Sequence, residues 1–275
     1  KVLEQLQPHA RKIRAVRNLR PTLEAEDLAP ARAALSEMFD ELRVGQAYGF
    51  AELARWSKTP LVPTARAFGQ IIGYYSRVYD PGKGVLGVDV GAGSTTVAAA
   101  FEGQLYLTVR PDLGLGETAI NALKSGGAAR IARWLPIEFS DEQVLEFVVH
   151  KSLNPGTIPT EADDLLLEFA LTRELLRETL AQARAHWPRH ARMGGPRNSD
   201  LLPWLEPILA SGAVFSGAPR PGLVALALLD AIQPTGITML VLDGHNLAPL
   251  LGAAAGLNPV GVVQILDSGV FQPLG

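Results

Sequence analysis

The residues best able to do chemistry lie in one stretch, Gly84 to Ala100, GVLGVDVGAGSTTVAAA. It opens with an apolar run, Val85, Leu86, Val88 and Val90, which suits a buried strand. The chain then turns through Gly91, Ala92, Gly93, Ser94 and Thr95 and resumes as Thr96, Val97 and three alanines. Two apolar runs joined by so few residues, with glycine at the bend, predict a β-hairpin. Small residues at such a turn let backbone N–H groups approach an anion without a Cβ in the way. Ser94 and Thr95 add hydroxyl donors, and Asp89 at the strand end is placed to hold a hydrated Mg²⁺ beside phosphates. The loop lacks the Gly-Lys-Ser/Thr ending of a Walker A loop and the helix that follows a dinucleotide fingerprint. The pattern alone also admits a tight hairpin whose glycines serve only the turn.

The elements that must position this stretch read as a mixture of helices and strands. At 275 residues the chain can form one large domain or two small ones with a real core. A formal charge of −3 gives no net basic surface for nucleic acid. The absence of cysteine excludes disulfides, thiolate metal sites and a cysteine nucleophile. No apolar run approaches the ~20 residues of a membrane span, and no signal-peptide pattern opens the chain, so a cytoplasmic protein with no membrane partner is expected. Among the five histidines only His186 and His190 stand four apart, across Trp187-Pro188-Arg189, and a histidine metal site is not expected.

Residues 1–45 are charged and helical in pattern, with Pro30 suited to the first turn of a helix. A basic cluster there (Arg11, Lys12, Arg14, Arg17, Arg20) reads as a solvated face, because acids follow at once. Short and longer helices are predicted around Phe50–Trp56 and over Thr64–Tyr79, the second stopped by Asp80-Pro81-Gly82. Gln104–Val109 predicts a third strand, and Arg110 to Thr118 follows as a loop carrying a second carboxylate, Asp112, with Thr118 a candidate helix cap. Ala119 to Ala191 reads helical, with a capping box at Ser140 and Gln143 and a second cap at Thr160. It looks like an insertion that could face a partner. Trp187–Ser199 is a basic Gly/Pro-rich loop. Trp204–Phe215 offers a fourth strand ending in Ser211-Gly212-Ala213, Gly222–Ile232 an apolar helix, and Ile237–Leu242 a fifth strand. Leu247–Leu257 is a small-residue helix, and VVQIL in the tail a possible last strand.

These segments carry a resemblance. Asp89-Val90-Gly91-Ala92-Gly93-Ser94-Thr95 looks like the second phosphate motif of the actin/Hsp70/sugar-kinase ATPase superfamily. From about Arg17 to its end the chain resembles the C-terminal half of the MutL family associated with glutamate mutase, which is unrelated to mismatch-repair MutL. The matching segments, in order, are VRNLRP, PLVPTARAFG, GVLGVDVGAGSTTV, RPDLGLG, ILASGAVFSGAP, ALLDAIQPTGIT, LVLDGHNLAPLLGAAAGLNP and VVQILDSGVFQPLG.

The resemblance implies an α/β fold, a ribonuclease-H-like (actin-like ATPase) lobe with a mixed five-stranded sheet, plus N-terminal helices and a helical insertion. The divisions expected are a helical region 1–83, the lobe at 84–118 and 200–275, and the insertion with its basic loop at 119–199. The implied cofactor is ATP or ADP with Mg²⁺. Asp89 would be the catalytic and metal-binding carboxylate, and Gly91, Ala92, Gly93, Ser94 and Thr95 would cradle the phosphates. Asp112 and Gly114 belong to a segment that closes over the nucleotide side, and Ser211, Gly212 and Ala213 would line the adenosine. The implied role is reactivation or chaperoning of an adenosylcobalamin-dependent mutase, with ATP-driven lobe closure as the working stroke.

Relatives carry a first phosphate motif in an N-terminal lobe, and none precedes Gly84. With Lys1 in place of Met, this predicts a piece of a longer protein whose other lobe is its partner. Thr96 stands where many relatives have an acid after the Ser/Thr pair, and Ala213 where a further glycine is usual. The chain by itself is therefore expected to hydrolyse ATP negligibly. A protein that kept the fold as a scaffold, without nucleotide, is the alternative, and a sugar or acetate kinase is disfavoured for want of a substrate-binding acid and arginine set.

Overall fold

The computed structural model describes residues 2–10, 12–22, 30–31, 34–35, 37–38, 49–57, 61–188 and 201–274. Most of the helix expected after Pro30 and the basic loop beyond Pro188 lie outside these residues. The chain divides into two units, Lys1–Leu61 and Val62–Gly275. The first contains a short helix α1 (Val2–Leu6), a 3₁₀ turn (Gln7–His9) and α2 (Phe50–Trp56). The helical reading of its start is corrected beyond Ala10, because residues 12–18 take no helical form. Arg14 pairs there with Glu37.

The second unit is built on a six-stranded sheet: β1 (Gly84–Val90), β2 (Thr95–Phe101), β3 (Gln104–Arg110), β4 (Leu205–Ser211), β5 (Leu240–Leu242) and β6 (Gln272–Pro273). Their order is β3-β2-β1-β4-β5-β6. The three N-terminal strands form an antiparallel meander, with Val90 opposite Thr95 and Thr95 opposite Arg110. Strand β4 then joins β1 in parallel, Asp89 opposite Ser211, and β5 joins β4 in parallel. Central strands covered on both faces read as near-continuous apolar runs, which is why β1 and β4 are so hydrophobic. This is the ribonuclease-H-like α/β class. The strand count differs from the expected five: β6 adds an antiparallel edge to β5. VVQIL, expected as the last strand, lies inside a helix, α10 (Pro259–Asp267), whose Asn258 side chain accepts from the Gly261 N–H. The cap and the proline at its first position outweigh the β-branched run.

Helices cover both faces. The long α6 (Ala162–Arg184) and α8 (Pro221–Ile232) pack on one, joining Leu86, Val88, Val90, Val97 and Phe101 in a single core. On the other, α3 (Thr64–Val78) and α9 (Ala248–Ala254) cover Val85, Ala98, Ala100 and Leu209. The small residues of α9 permit close approach: a Cβ at Gly252 would fall 1.8 Å from the Ala67 carbonyl oxygen. The packing thus draws divisions differently from the sequence pattern. Helix α3 sits in the sheet's own unit, not in an N-terminal region, and α6 is the sheet's cover, with Leu171 and Leu175 fully buried. The remaining helices are α4 (Gly127–Ala132), α5 (Asp141–Leu153) and the single turn α7 (Ala213–Ser216). The capping box at Ser140 and Gln143 forms. Thr118 and Thr160 do not cap: Thr118 makes no capping bond, and the residue before α6 is Glu161. Among the described residues no helix is long and apolar enough to cross a membrane.

Candidate functional site

Side chains alternate across a strand, so residues of like register on parallel neighbours share a face. Asp89, Ser211 and the residue just past β5, Asp243, therefore meet on the α3/α9 side at the carboxyl ends of β1, β4 and β5. Asp243 is buried, with a full set of donors. Its Oδ1 accepts from the Leu247 N–H at 2.8 Å, and its Oδ2 from the Ala248 N–H at 2.8 Å and the Ser211 hydroxyl at 3.1 Å. It holds the start of α9 through the two backbone N–H groups. Asp89 has no such support: among the described hydrogen bonds none reaches its carboxylate. Partial burial pushes its pKa up to about 6, with help from the charge on Asp243. It lines a cavity of about 410 Å³ together with Ser211, Gly212, Ala213, Thr64 and Asn246. The Asn246 side chain accepts from the Gly212 N–H and donates to the Ser216 hydroxyl.

The hairpin turn closes with the Gly91 N–H donating to the Ser94 carbonyl at 2.9 Å, leaving Ala92 and Gly93 at the tip. The segment after β3 folds over it, with Leu115 N–H donating to the Gly91 carbonyl and Gly116 N–H to that of Ala92. Gly114 is required by this contact, since a Cβ there would sit 2.4 Å from the Ala92 oxygen. Gly212 is required twice over, by φ of 111° and by Val90, whose oxygen a Cβ would meet at 2.3 Å. Gly91 and Gly93 are different. Neither has a left-handed φ, a Cβ at Gly93 would meet nothing within 4 Å, and one at Gly91 only the Ser94 oxygen at 3.5 Å. Among the described hydrogen bonds, the N–H groups of Ala92, Gly93 and Ser94 find no protein acceptor.

On the α6 side of the same strand ends lies a larger cavity of about 640 Å³. Gly91, Ala92 and Ala213 edge it, Leu115, Phe169 and Val214 supply apolar wall, and the loop 155–161 between α5 and α6 forms its far side. Lys151 and Glu168 line it while nine-tenths buried, joined by a 2.7 Å ion pair.

The sequence-predicted site is thus divided. Asp89, Ser211, Gly212 and Ala213 share the smaller cavity; Gly91, Ala92 and Ala213 share the larger; Gly93, Ser94, Thr95, Asp112 and Gly114 line neither. Thr95 is wholly buried in the sheet, and its hydroxyl finds no partner there. The Asp112 carboxylate is taken by Arg110 in two hydrogen bonds of 2.8 and 2.6 Å, which hold it below the usual carboxylate range. Sequence reasoning missed Asp243, Asn246, Lys151 and Glu168. An aspartate at a strand end before a glycine, as at Asp89-Val90-Gly91, recurs at Asp243-Gly244 and could have flagged the first. Nothing local marks Lys151 and Glu168.

Residues 1–270 match a family model described as MutL protein. No protein of curated description matches the chain. Among solved structures, component A of the (R)-2-hydroxyglutaryl-CoA dehydratase of Acidaminococcus fermentans aligns with 84% of this chain and 83% of its own, at 13% identity and a TM-score of 0.37. The activator of the 2-hydroxyisocaproyl-CoA dehydratase from Clostridium difficile, with bound ADPNP, aligns with 88% of this chain and 85% of its own, at 15% identity and a TM-score of 0.40.

Proposed function

The chain belongs to the MutL family, and on that premise we propose that it is the nucleotide-binding lobe of a MutL-type ATPase that takes ATP with Mg²⁺ at the carboxyl end of its sheet. The observation that carries this reading is the hairpin tip. Gly91 and Gly93 have neither a backbone conformation nor a packing neighbour that demands glycine, and three adjacent N–H groups find no acceptor among the described residues. Glycine there keeps a concavity of amide donors open to an anion. The N–H groups of Ala92, Gly93 and Ser94 would donate to phosphate oxygens, and the Ser94 hydroxyl would add a further donor.

The donor set also fits a magnesium ion. Among the described residues no cluster of three or more metal-ligating side chains exists, and Mg²⁺ beside phosphates needs only one or two carboxylates, keeping water in its other positions. Asp89, without a hydrogen-bond donor and near a second carboxylate, is the residue to hold it. A bound metal supplies neutralisation of charge on the phosphate oxygens. Ala213, shared by both cavities, would place the adenosine on the α6 side of the tip. Thr96, fully sheet-bound, puts no carboxylate where water would be oriented, so hydrolysis by the chain alone is slow. Binding would then serve a conformational role, the reactivation or chaperoning of an adenosylcobalamin-dependent mutase.

Calorimetric titration with Mg·ATP and Mg·ADP, beside an Asp89→Ala variant, tests this. Saturable binding that weakens at least tenfold in the variant is expected; no binding to the wild-type chain at millimolar nucleotide overturns the reading. Rapid magnesium-dependent turnover abolished by the same substitution would overturn the slow hydrolysis.

A further inference from the structure

Lys151 and Glu168 form a buried ion pair in the wall of the larger cavity, which is an expensive arrangement if its purpose is only to join α5 to α6. Burying two charges costs several kcal/mol per ion in real proteins, and a well-packed apolar pair in the same place is often no less stable. The pair is also incompletely used. Lys151 has three N–H donors, and the protein takes two, one to the Thr157 carbonyl and one to Glu168 Oε2. Among the described hydrogen bonds none reaches Glu168 Oε1. One donor of Lys151 and one acceptor of Glu168 are therefore unused by the described residues, in two side chains that line a cavity whose other walls include Leu115, Leu165, Phe169 and Val214.

The cavity is tied to the hairpin tip. Lys151 holds the Thr157 carbonyl, Thr157 N–H and hydroxyl return to the Asn154 carbonyl, and Pro155 lies so close to Gly116 that a Cβ on that glycine would come within 2.9 Å of it. Gly116 in turn donates to Ala92. The same cavity is lined by Gly91 and Ala92 of the tip and by Lys151 and Glu168, so it connects a phosphate site at the tip with the ion pair.

We infer that Lys151 and Glu168 read the base of the nucleotide, an inference that rests on the nucleotide reading above and deepens it. Glu168 accepts from the exocyclic amine of adenine, and Lys151 donates to the neighbouring ring nitrogen. A site built to hydrogen-bond a ligand amine discriminates strongly against an analogue that lacks it, because buried polar groups are left unpaired.

The test is calorimetry on the full chain with Mg·ATP, magnesium purine riboside triphosphate (which lacks the amine) and inorganic tripolyphosphate. The wild type is expected to bind ATP at least tenfold more tightly than purine riboside triphosphate. The double variant Lys151→Met/Glu168→Leu, which leaves no lone buried charge, is expected to bind tripolyphosphate still, while the preference for ATP over the analogue disappears. A merely structural pair would not move that ratio. Equal wild-type affinities for ATP and the analogue overturn the inference while leaving phosphate binding at the tip intact, as does an unchanged ratio in a folded double variant. Should the variant fail to fold, the wild-type comparison decides alone. Binding of neither ATP nor tripolyphosphate overturns the nucleotide reading itself and this inference with it.

Discussion

Two cavities flank the carboxyl ends of β1 and β4, and they differ in what burial has done to their charges. On the α3/α9 side, Asp243 is satisfied by two backbone N–H groups and the Ser211 hydroxyl, while its neighbour Asp89 has no donor among the described residues and a pKa pushed up to about 6. On the α6 side, Lys151 and Glu168 neutralise one another in a wall that also holds Leu115, Phe169 and Val214. One side therefore keeps a carboxylate without a donor among the described residues, suited to a hydrated cation, and the other a paired lysine and glutamate beside apolar side chains. The strand ends supply Asp89 and Ser211 to the first side, whereas the pair on the second side comes from α5 and α6. Ala213, the first residue of α7, borders both cavities.

The comparison breaks most readily at the wall between them. Gly212→Ala drives a Cβ into the Val90 backbone at a φ that L side chains avoid, so both cavities should be lost with the fold around them. A loss of roughly 3 kcal/mol or more is expected in denaturant unfolding; a variant as stable as the wild type would show that β1 and β4 can separate freely here.

Asp89→Asn probes the cation side alone. A carboxyl with a raised folded pKa binds more protons than its unfolded counterpart between about pH 4, the ordinary aspartate value, and about 6. Stability contributed by the protonated form is present below that window and lost as pH rises through it. Without ligand, the variant should exceed the wild type by roughly 2 kcal/mol at pH 7 and by little at pH 4. A difference that is flat across pH 4–7 would mean Asp89 ionises as an ordinary surface carboxylate. With Mg·ATP the order should invert, the variant binding weakly.

The smallest expected effect on stability is the most informative about function. Gly93→Ala adds a Cβ that meets nothing, so unfolding should change by no more than about 0.5 kcal/mol. Tripolyphosphate affinity should nevertheless fall severalfold, because the methyl group stands where phosphate would approach. Unchanged affinity would return Gly93 to the role of a plain turn residue. Gly114 is no equivalent test, since its Cβ would collide with Ala92 whether or not a ligand binds.

Much of this was legible in the chain. Val85–Val90 and Thr96–Ala100 carry enough apolar, small and β-branched residues around a glycine turn to specify the hairpin, and Asp80-Pro81-Gly82 stops α3 where the structure does. The misreadings have local causes. VVQIL is β-branched and apolar, but Asn258-Pro259 ahead of it starts a helix. Thr118 and Thr160 have the composition of caps, yet the chain enters its next helical turns without using either. The long α6 reads as an insertion because it interrupts the alternation of strand and helix; only its contacts with β2, β3 and α8 make it a cover for the sheet.

The sequence by itself determined the family, the hairpin and the glycine-rich turn with its aspartate, because those depend on residues near one another along the chain. Tertiary structure decided which of the glycines are packing glycines, since Gly114 and Gly212 are constrained by backbone dozens of residues away or on another strand. It decided that Asp243 stands beside Asp89 and alters its proton affinity, because parallel pairing brings three distant strand ends into line. It also placed Lys151 against Glu168, 17 residues on and across a helix hairpin. Charge and burial are properties of neighbours in space, and no spacing along the chain encodes them.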